Sequence, residues 1–154
     1  MSPSTYVLTV LLTGVMLGCV ACKAPNESTS MTLLTAPKWR LTGWVFHAEG
    51  YATPDKYPPG LEACNRDDFT SFKANGTYVD DQGLIKCRPD VPQARCFRWR
   101  FLAGGRKLGM CYAAPGQKEV EMRFTVKTLT PATLILEGWS PTYSCNYTLT
   151  YAAF

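Results

Sequence analysis

From Lys38 to the C-terminus the chain shows no helical period over a useful window. Apolar and polar residues instead alternate in short runs with turn residues between them. Val120, Met122, Phe124 and Val126 alternate with Glu121, Arg123, Thr125 and Lys127, the period of a strand wet on one face. Tyr143, Cys145, Tyr147, Leu149 and Tyr151 do the same against Ser144, Asn146, Thr148 and Thr150. Phe97, Trp99 and Phe101 alternate with Cys96, Arg98 and Arg100. Gly104-Gly105 then turns the chain into Lys107 to Ala113, where Leu108, Met110 and Tyr112 take the inner face. Two further strands are predicted at Trp39 to His47 and Thr133 to Gly138, the second bounded by Pro131 and Ser140-Pro141. Asn75-Gly76 is the strongest short hairpin signal, because both central residues of a type I′ turn need positive φ; it joins strands at roughly Asp68 to Ala74 and Thr77 to Gln82.

Together these make about eight short antiparallel strands joined by turns, an up-and-down meander. Such a sheet leaves two unpaired edges unless its first and last strands meet, and closure into a barrel removes both. Short sequential connections favour the barrel over a Greek-key sandwich. Its inward set includes Trp99, Phe101, Met110, Phe124 and Tyr147, the candidate ligand-lining residues. The same side chains also suit a filled core, since a barrel of this size lies at the limit where side chains alone occupy the interior.

Ahead of the strands, residues 1–18 carry no charged side chain and have the length and apolarity of a secretory leader, too short to span a bilayer comfortably. Met16-Leu17-Gly18-Cys19 resembles the site cut by the bacterial lipoprotein signal peptidase, which makes Cys19 the candidate lipid anchor, with Cys22 as the alternative. The n-region lacks the usual Lys or Arg. Residues 19–37, small and polar, read as a flexible tether. The expected organisation is leader 1–18, tether 19–37 and barrel 38–154. With the leader removed, roughly 130 residues remain, one domain's worth.

Cys64 lies just before the Asn75-Gly76 hairpin and Cys87 just after it, at the same end of the strand pair. A bridge between them would close the unit, a pairing that the geometry permits without demonstrating. Cys96 and Cys111 are one diagonal step apart, since facing residues across the Gly104-Gly105 hairpin sum to about 209, and a bridge there would be strained. Cys145 is left as a small inward hydrophobe. So many thiols in a small exported domain point to an oxidising compartment. No Cys-x-x-Cys spacing accompanies the single histidine, His47, and no metal or cofactor is expected.

The formal net charge is +4, from 16 basic and 12 acidic residues that are interspersed. Arg98, Arg100, Arg106 and Lys107 form the one local basic cluster and read as a solvated hairpin edge, so no nucleic-acid partner is expected. No Gly-x-Ser-x-Gly, phosphate loop or dinucleotide fingerprint is present. Asp67 and Asp68 are adjacent, hence on opposite faces of a strand and unable to act as a dyad; they read as a polar cap to the hairpin. An enzyme is not expected. Residues 51–62, with Tyr51, Pro54, Tyr57, Pro58-Pro59 and Leu61, form the longest loop-like insert and a candidate lid.

The order Trp39-Arg40-Leu41-Thr42-Gly43, Cys64 with Asp67-Asp68-Phe69 and Phe72, Asn75-Gly76-Thr77-Tyr78, Gly83 with Lys86-Cys87, Trp99, and Leu129-Thr130 with Thr133-Leu134 resembles the lipocalin-like domains of bacterial, Bacteroidetes-type lipoproteins. The resemblance covers the domain from about Lys38 onward and is most specific between Cys64 and Cys87. It implies a small lipocalin-like β-barrel on a lipid-anchored protein of the cell envelope, at the outer membrane or facing the periplasm. The Gly-x-Trp signature of the better-known lipocalins is absent, so no retinoid-type or haem-type ligand is carried over. Two functions follow as expectations: a module binding a small hydrophobic or amphipathic molecule, or a packed barrel that contacts another envelope protein.

Overall fold

In the computed structural model, which describes residues 26–47, 63–87, 89–113 and 116–154, the alternating runs become eight antiparallel strands. They are β1 (Trp39–Phe46), β2 (Phe69–Phe72), β3 (Thr77–Asp81), β4 (Ala94–Leu102), β5 (Lys107–Tyr112), β6 (Val120–Leu129), β7 (Thr133–Ser140) and β8 (Cys145–Ala153). Each pairs with the next in chain order and β8 returns to β1, so the sheet is a closed up-and-down barrel of the lipocalin-like kind. The leader with Cys19 and Cys22, the start of the tether and the 51–62 insert lie outside the described residues.

Alternation places Tyr78, Trp99, Leu108, Met110, Phe124, Leu134, Leu136 and Leu149 inside, all buried in one core. Trp99 faces Met110 across β4 and β5, the register that the Gly104-Gly105 turn implies. In β1 the register on β8 slips between Leu41 and Gly43, a bulge that resets the alternation. As a result Trp44 packs against the core as Leu41 does, three residues before it, and Phe46 follows on the same face with its ring centroid 5.3 Å from that of Trp44. At Gly138 an added Cβ would come within 2.8 Å of the Tyr147 ring and 3.0 Å of Phe124, so this glycine makes room for aromatic rings inside the barrel.

The β2–β3 turn differs from the expected type I′. Of Asn75 and Gly76 only Gly76 has positive φ, 82°, while Gly76 N donates to Lys73 O at 3.1 Å and Lys73 N to Thr77 O at 2.8 Å. This is the three-residue loop that ends in a glycine bulge. The Asn75 carboxamide oxygen accepts from Thr77 N at 3.1 Å and Thr77 Oγ1 at 2.7 Å, which explains the residue without left-handed backbone.

The expectation of a tether through residue 37 is corrected. Glu27–Thr35 is a helix, α1, capped by Asn26, whose side chain accepts from Thr29 N at 2.8 Å. Leu34 is fully buried in the barrel core, Met31 packs beside it, and Trp39 Nε1 donates to Leu34 O at 2.8 Å. Ser30 is buried against the β4–β5 turn, where a Cβ on Gly105 would meet its Oγ at 3.2 Å. The helix therefore closes the end of the barrel that holds this turn. Its two core residues are three apart, enough for one buried stripe on a segment that is otherwise small and polar.

Candidate functional site

β1 and β2 share a single register pair, Trp39 with Thr70, whereas β1 and β8 share seven. Beside that short seam lies a recess of about 250 Å³, lined by Trp39 and Leu41 of β1, Asp68, Phe69 and Thr70 at β2, Asp80 and Asp81 of β3, Arg95 of β4 and Tyr151 of β8. Asn65 and Gln82 complete it. Its lining thus mixes aromatic and aliphatic side chains with carboxylates, Phe69 standing directly opposite Asp81 across β2 and β3.

Strand parity explains how the acids reach this position. Asp80 follows inward Tyr78 by two residues on β3 and pairs with Thr70, whose Oγ1 donates to Asp80 Oδ1 at 2.8 Å. Asp68 precedes Thr70 by two residues, and its Oδ1 is buried without a hydrogen bond. Burial, and then the neighbouring charges of Asp67, Asp80 and Asp81, hold the Asp68 carboxyl up to about 6. Burial also raises Asp80, against the Thr70 hydrogen bond and the charge of Arg95, which lower it. The Arg95 guanidinium lies over the rings of Phe97 and Tyr112, at 5.4 and 5.3 Å from their centroids.

Because the folded Asp68 carboxyl binds its proton more tightly than an unfolded one, the fold carries a penalty above about pH 6 that is relieved as pH falls toward 3.8. Asp68→Asn is expected to raise stability at pH 7 and to flatten its dependence on pH between about 4 and 6; urea unfolding at a series of pH values checks both. Asp80 titrates in the same sense and keeps part of the slope in that variant.

A second pinned structure flanks the recess. The Cys64–Cys87 disulfide is formed, with Cα atoms 5.1 Å apart. Asp67 Oδ2 accepts from the backbone N–H groups of Leu84 and Ile85. Gly83 has φ 63°, and a Cβ there would lie 2.5 Å from the Asp67 carboxyl, so glycine is required on both counts. Asp67 thus caps the segment after the hairpin, and not the entry to the hairpin that the sequence suggested, while Asp68 turns to the recess. Cys96, Cys111 and Cys145 are free thiols, so the diagonal bridge between Cys96 and Cys111 is not formed, and Cys145 is buried.

The five residues chosen from the sequence occupy a different place. Trp99, Met110 and Phe124 are buried in the core and Phe101 packs partly against it. Trp99 is locked there, its Nε1 donating to Lys73 O at 3.1 Å and Thr77 O at 2.9 Å, with edge contacts to Phe72 and Phe101. Tyr147 borders an open recess of about 740 Å³ with Trp44, Phe46, Trp139 and Tyr143, and burial pushes its hydroxyl above the usual tyrosine value. The structure does not gather the five around one void. The recess acids were legible in principle, as polar residues at inward parity on a strand, but Asp68 beside Asp67 reads as part of a polar cap to the hairpin. His47 makes an exposed hydrogen bond to Thr148 Oγ1 at 2.7 Å.

On the outer face, Arg98 pairs with Glu119 at 2.9 Å, and Glu121 pairs with Arg100 and Arg123, both at 2.7 Å. Gly109 lies beneath Arg100 and Glu121, where a Cβ would make ordinary contacts with both. Exposed pairs of this kind contribute little each. Among the described residues no three His, Cys, Asp or Glu side chains converge as a metal site, and no helix is long and apolar enough to cross a membrane. No protein-family model matches the chain, and a search of curated proteins finds no match.

Proposed function

We propose that the protein is a lipid-anchored lipoprotein of the bacterial cell envelope, held at Cys19, whose barrel carries a small amphipathic molecule in the recess beside the β1–β2 seam. It acts as a carrier and not as an enzyme. The observation that carries this reading is the recess itself: the apolar surfaces of Leu41, Phe69 and Tyr151 lie among a few polar groups. Small-molecule sites combine these two elements, with the polar groups fixing orientation. The carrier reading moves the ligand from the packed residues around Trp99 to the seam.

Backbone amide shifts of the labelled protein, followed by NMR during titration with fatty acids, quinones and arylalkylamines, test it. Shifts are expected at Leu41, Thr70, Asp80 and Tyr151. Shifts confined to the Tyr147 recess, or none with any compound, would overturn the assignment.

A second reading, a lipoprotein that contacts another envelope protein, is favoured by Leu84 and Ile85, which are 96% and 58% exposed. They sit on the segment held by Asp67 and the disulfide, so an apolar tip is presented on a fixed loop.

A further inference from the structure

The geometry points to an organic cation as the molecule bound at the β1–β2 recess: a compact amine whose ammonium group meets Asp68 and Asp80 while its apolar part lies against Leu41, Phe69 and Tyr151. This deepens the carrier reading and rests on it.

Three features select the sign of charge. First, Asp68, Asp80 and Asp81 all border the recess against one lining cation, Arg95, which lies over Phe97 and Tyr112 and whose charge acts on Asp80. Asp81 Oδ1 accepts from Gly83 N and Gln93 Nε2, while Asp68 has no such compensation. An anionic head group would meet three carboxylates, whereas an ammonium group would relieve their mutual repulsion. Second, Asp68 Oδ1 is a buried acceptor with no donor, and an N–H from the ligand supplies one. A hydroxyl would also donate, but without charge, and hydrogen bonds between ionised partners are roughly twice as strong as neutral ones. Third, the apolar walls include aromatic faces of the kind that attract cations. Phe69 already carries one, with Lys38 Nζ at 4.3 Å from its ring centroid.

Size narrows the class. The recess, at about 250 Å³, falls below the roughly 300–1,000 Å³ of drug-sized sites. It suits a single ring with a short amine arm and is too small for a tetrapyrrole. The raised proton affinity of Asp68 supports the same reading, because a carboxylate short of compensating charge is what a cation completes. The charged groups facing Asp68 are Asp67, Asp80 and Asp81, with Arg95 lining the recess and Lys38 held over the Phe69 ring. Binding of an ammonium ion should therefore weaken as pH falls below about 6 and Asp68 takes up its proton.

Three probes of nearly equal size separate the possibilities by calorimetry on the full chain at pH 7.5: 2-phenylethylamine, 2-phenylethanol and 3-phenylpropanoate. The amine is expected to bind at least about tenfold more tightly than the alcohol, and the acid not at all. Asp68→Asn should lower amine affinity at least about tenfold and leave alcohol affinity unchanged, and Asp80→Asn serves as a second variant, each with its fold verified by circular dichroism. Equal binding of amine and alcohol, or tighter binding of the acid, would overturn the cation assignment and leave the carrier reading standing. Absence of binding by all three, together with no amide shifts from the fatty acids and quinones, would end both.

Discussion

Truncating Leu34 to alanine is expected to lower the unfolding free energy by about 3 kcal/mol, within the 2–5 kcal/mol typical of buried leucines. The side chain has no solvent exposure and packs into the barrel core, so its removal costs both transfer energy and a cavity. The effect reaches beyond the side chain, because the backbone carbonyl of Leu34 accepts the indole N–H of fully buried Trp39. A helix that shifts leaves that N–H without an acceptor inside the core. Urea unfolding of Leu34→Ala beside the exposed-site variant Thr32→Ala measures it. Equal stability of the two would show that α1 contributes no more than a tether would.

Breaking the Cys64–Cys87 bridge is expected to cost a similar amount. The two cysteines are 23 residues apart in sequence, and the chain-entropy model assigns a loop of this length about 3 kcal/mol. The loss has a local side as well. The bridge joins the short turn Ala63–Asn65 to the segment after β3, and Asp67 holds the same segment through Leu84 and Ile85. Cys64→Ser with Cys87→Ser should thus lower the melting temperature and loosen the recess wall at Asn65 and Asp68, whereas Cys145→Ser should lack the second effect. Thermal unfolding with and without reductant measures the first, and amide exchange at Asn65 and Asp68 the second. A melting temperature unchanged by reductant would refute the contribution.

The strands were legible because the outer face of this barrel is wet and the inner face dry, so that β4, β6 and β8 carry the two-residue period in their own residues. The Gly104-Gly105 turn even sets the register, as Trp99 opposite Met110 shows. What escaped depends on information that the period does not contain. The bulge near Thr42 resets parity in β1, and nothing in Trp39 to His47 announces it. Helix α1 spans nine residues with two in the core, too few for a helical period to stand out from its polar surroundings. The Asn75-Gly76 pair announced a turn correctly but not its type, because the asparagine acts through its side chain. The recess was missed for a related reason: the aromatic residues inside a barrel look alike whether they line a void or fill it. The acids that mark the recess are separated by a disulfide-bonded hairpin in the chain and meet only through the pairing of β2 with β3.

The pairing of β1 with β8 sets the order in which the barrel can be completed. β1 has seven register partners on β8 and one on β2. Its hydrogen-bonding groups therefore wait for a strand more than a hundred residues later, as the bond from Thr42 to Thr150 across a separation of 108 illustrates. Chains are synthesised from the N-terminus, and contacts of such long range are formed slowly. Until Cys145–Ala153 arrives, β1 presents an open edge beside an open β7, two surfaces suited to pairing with another chain. The same architecture that leaves the mature barrel without a free edge thus makes its nascent form dependent on being kept apart from its neighbours until the last strand is delivered.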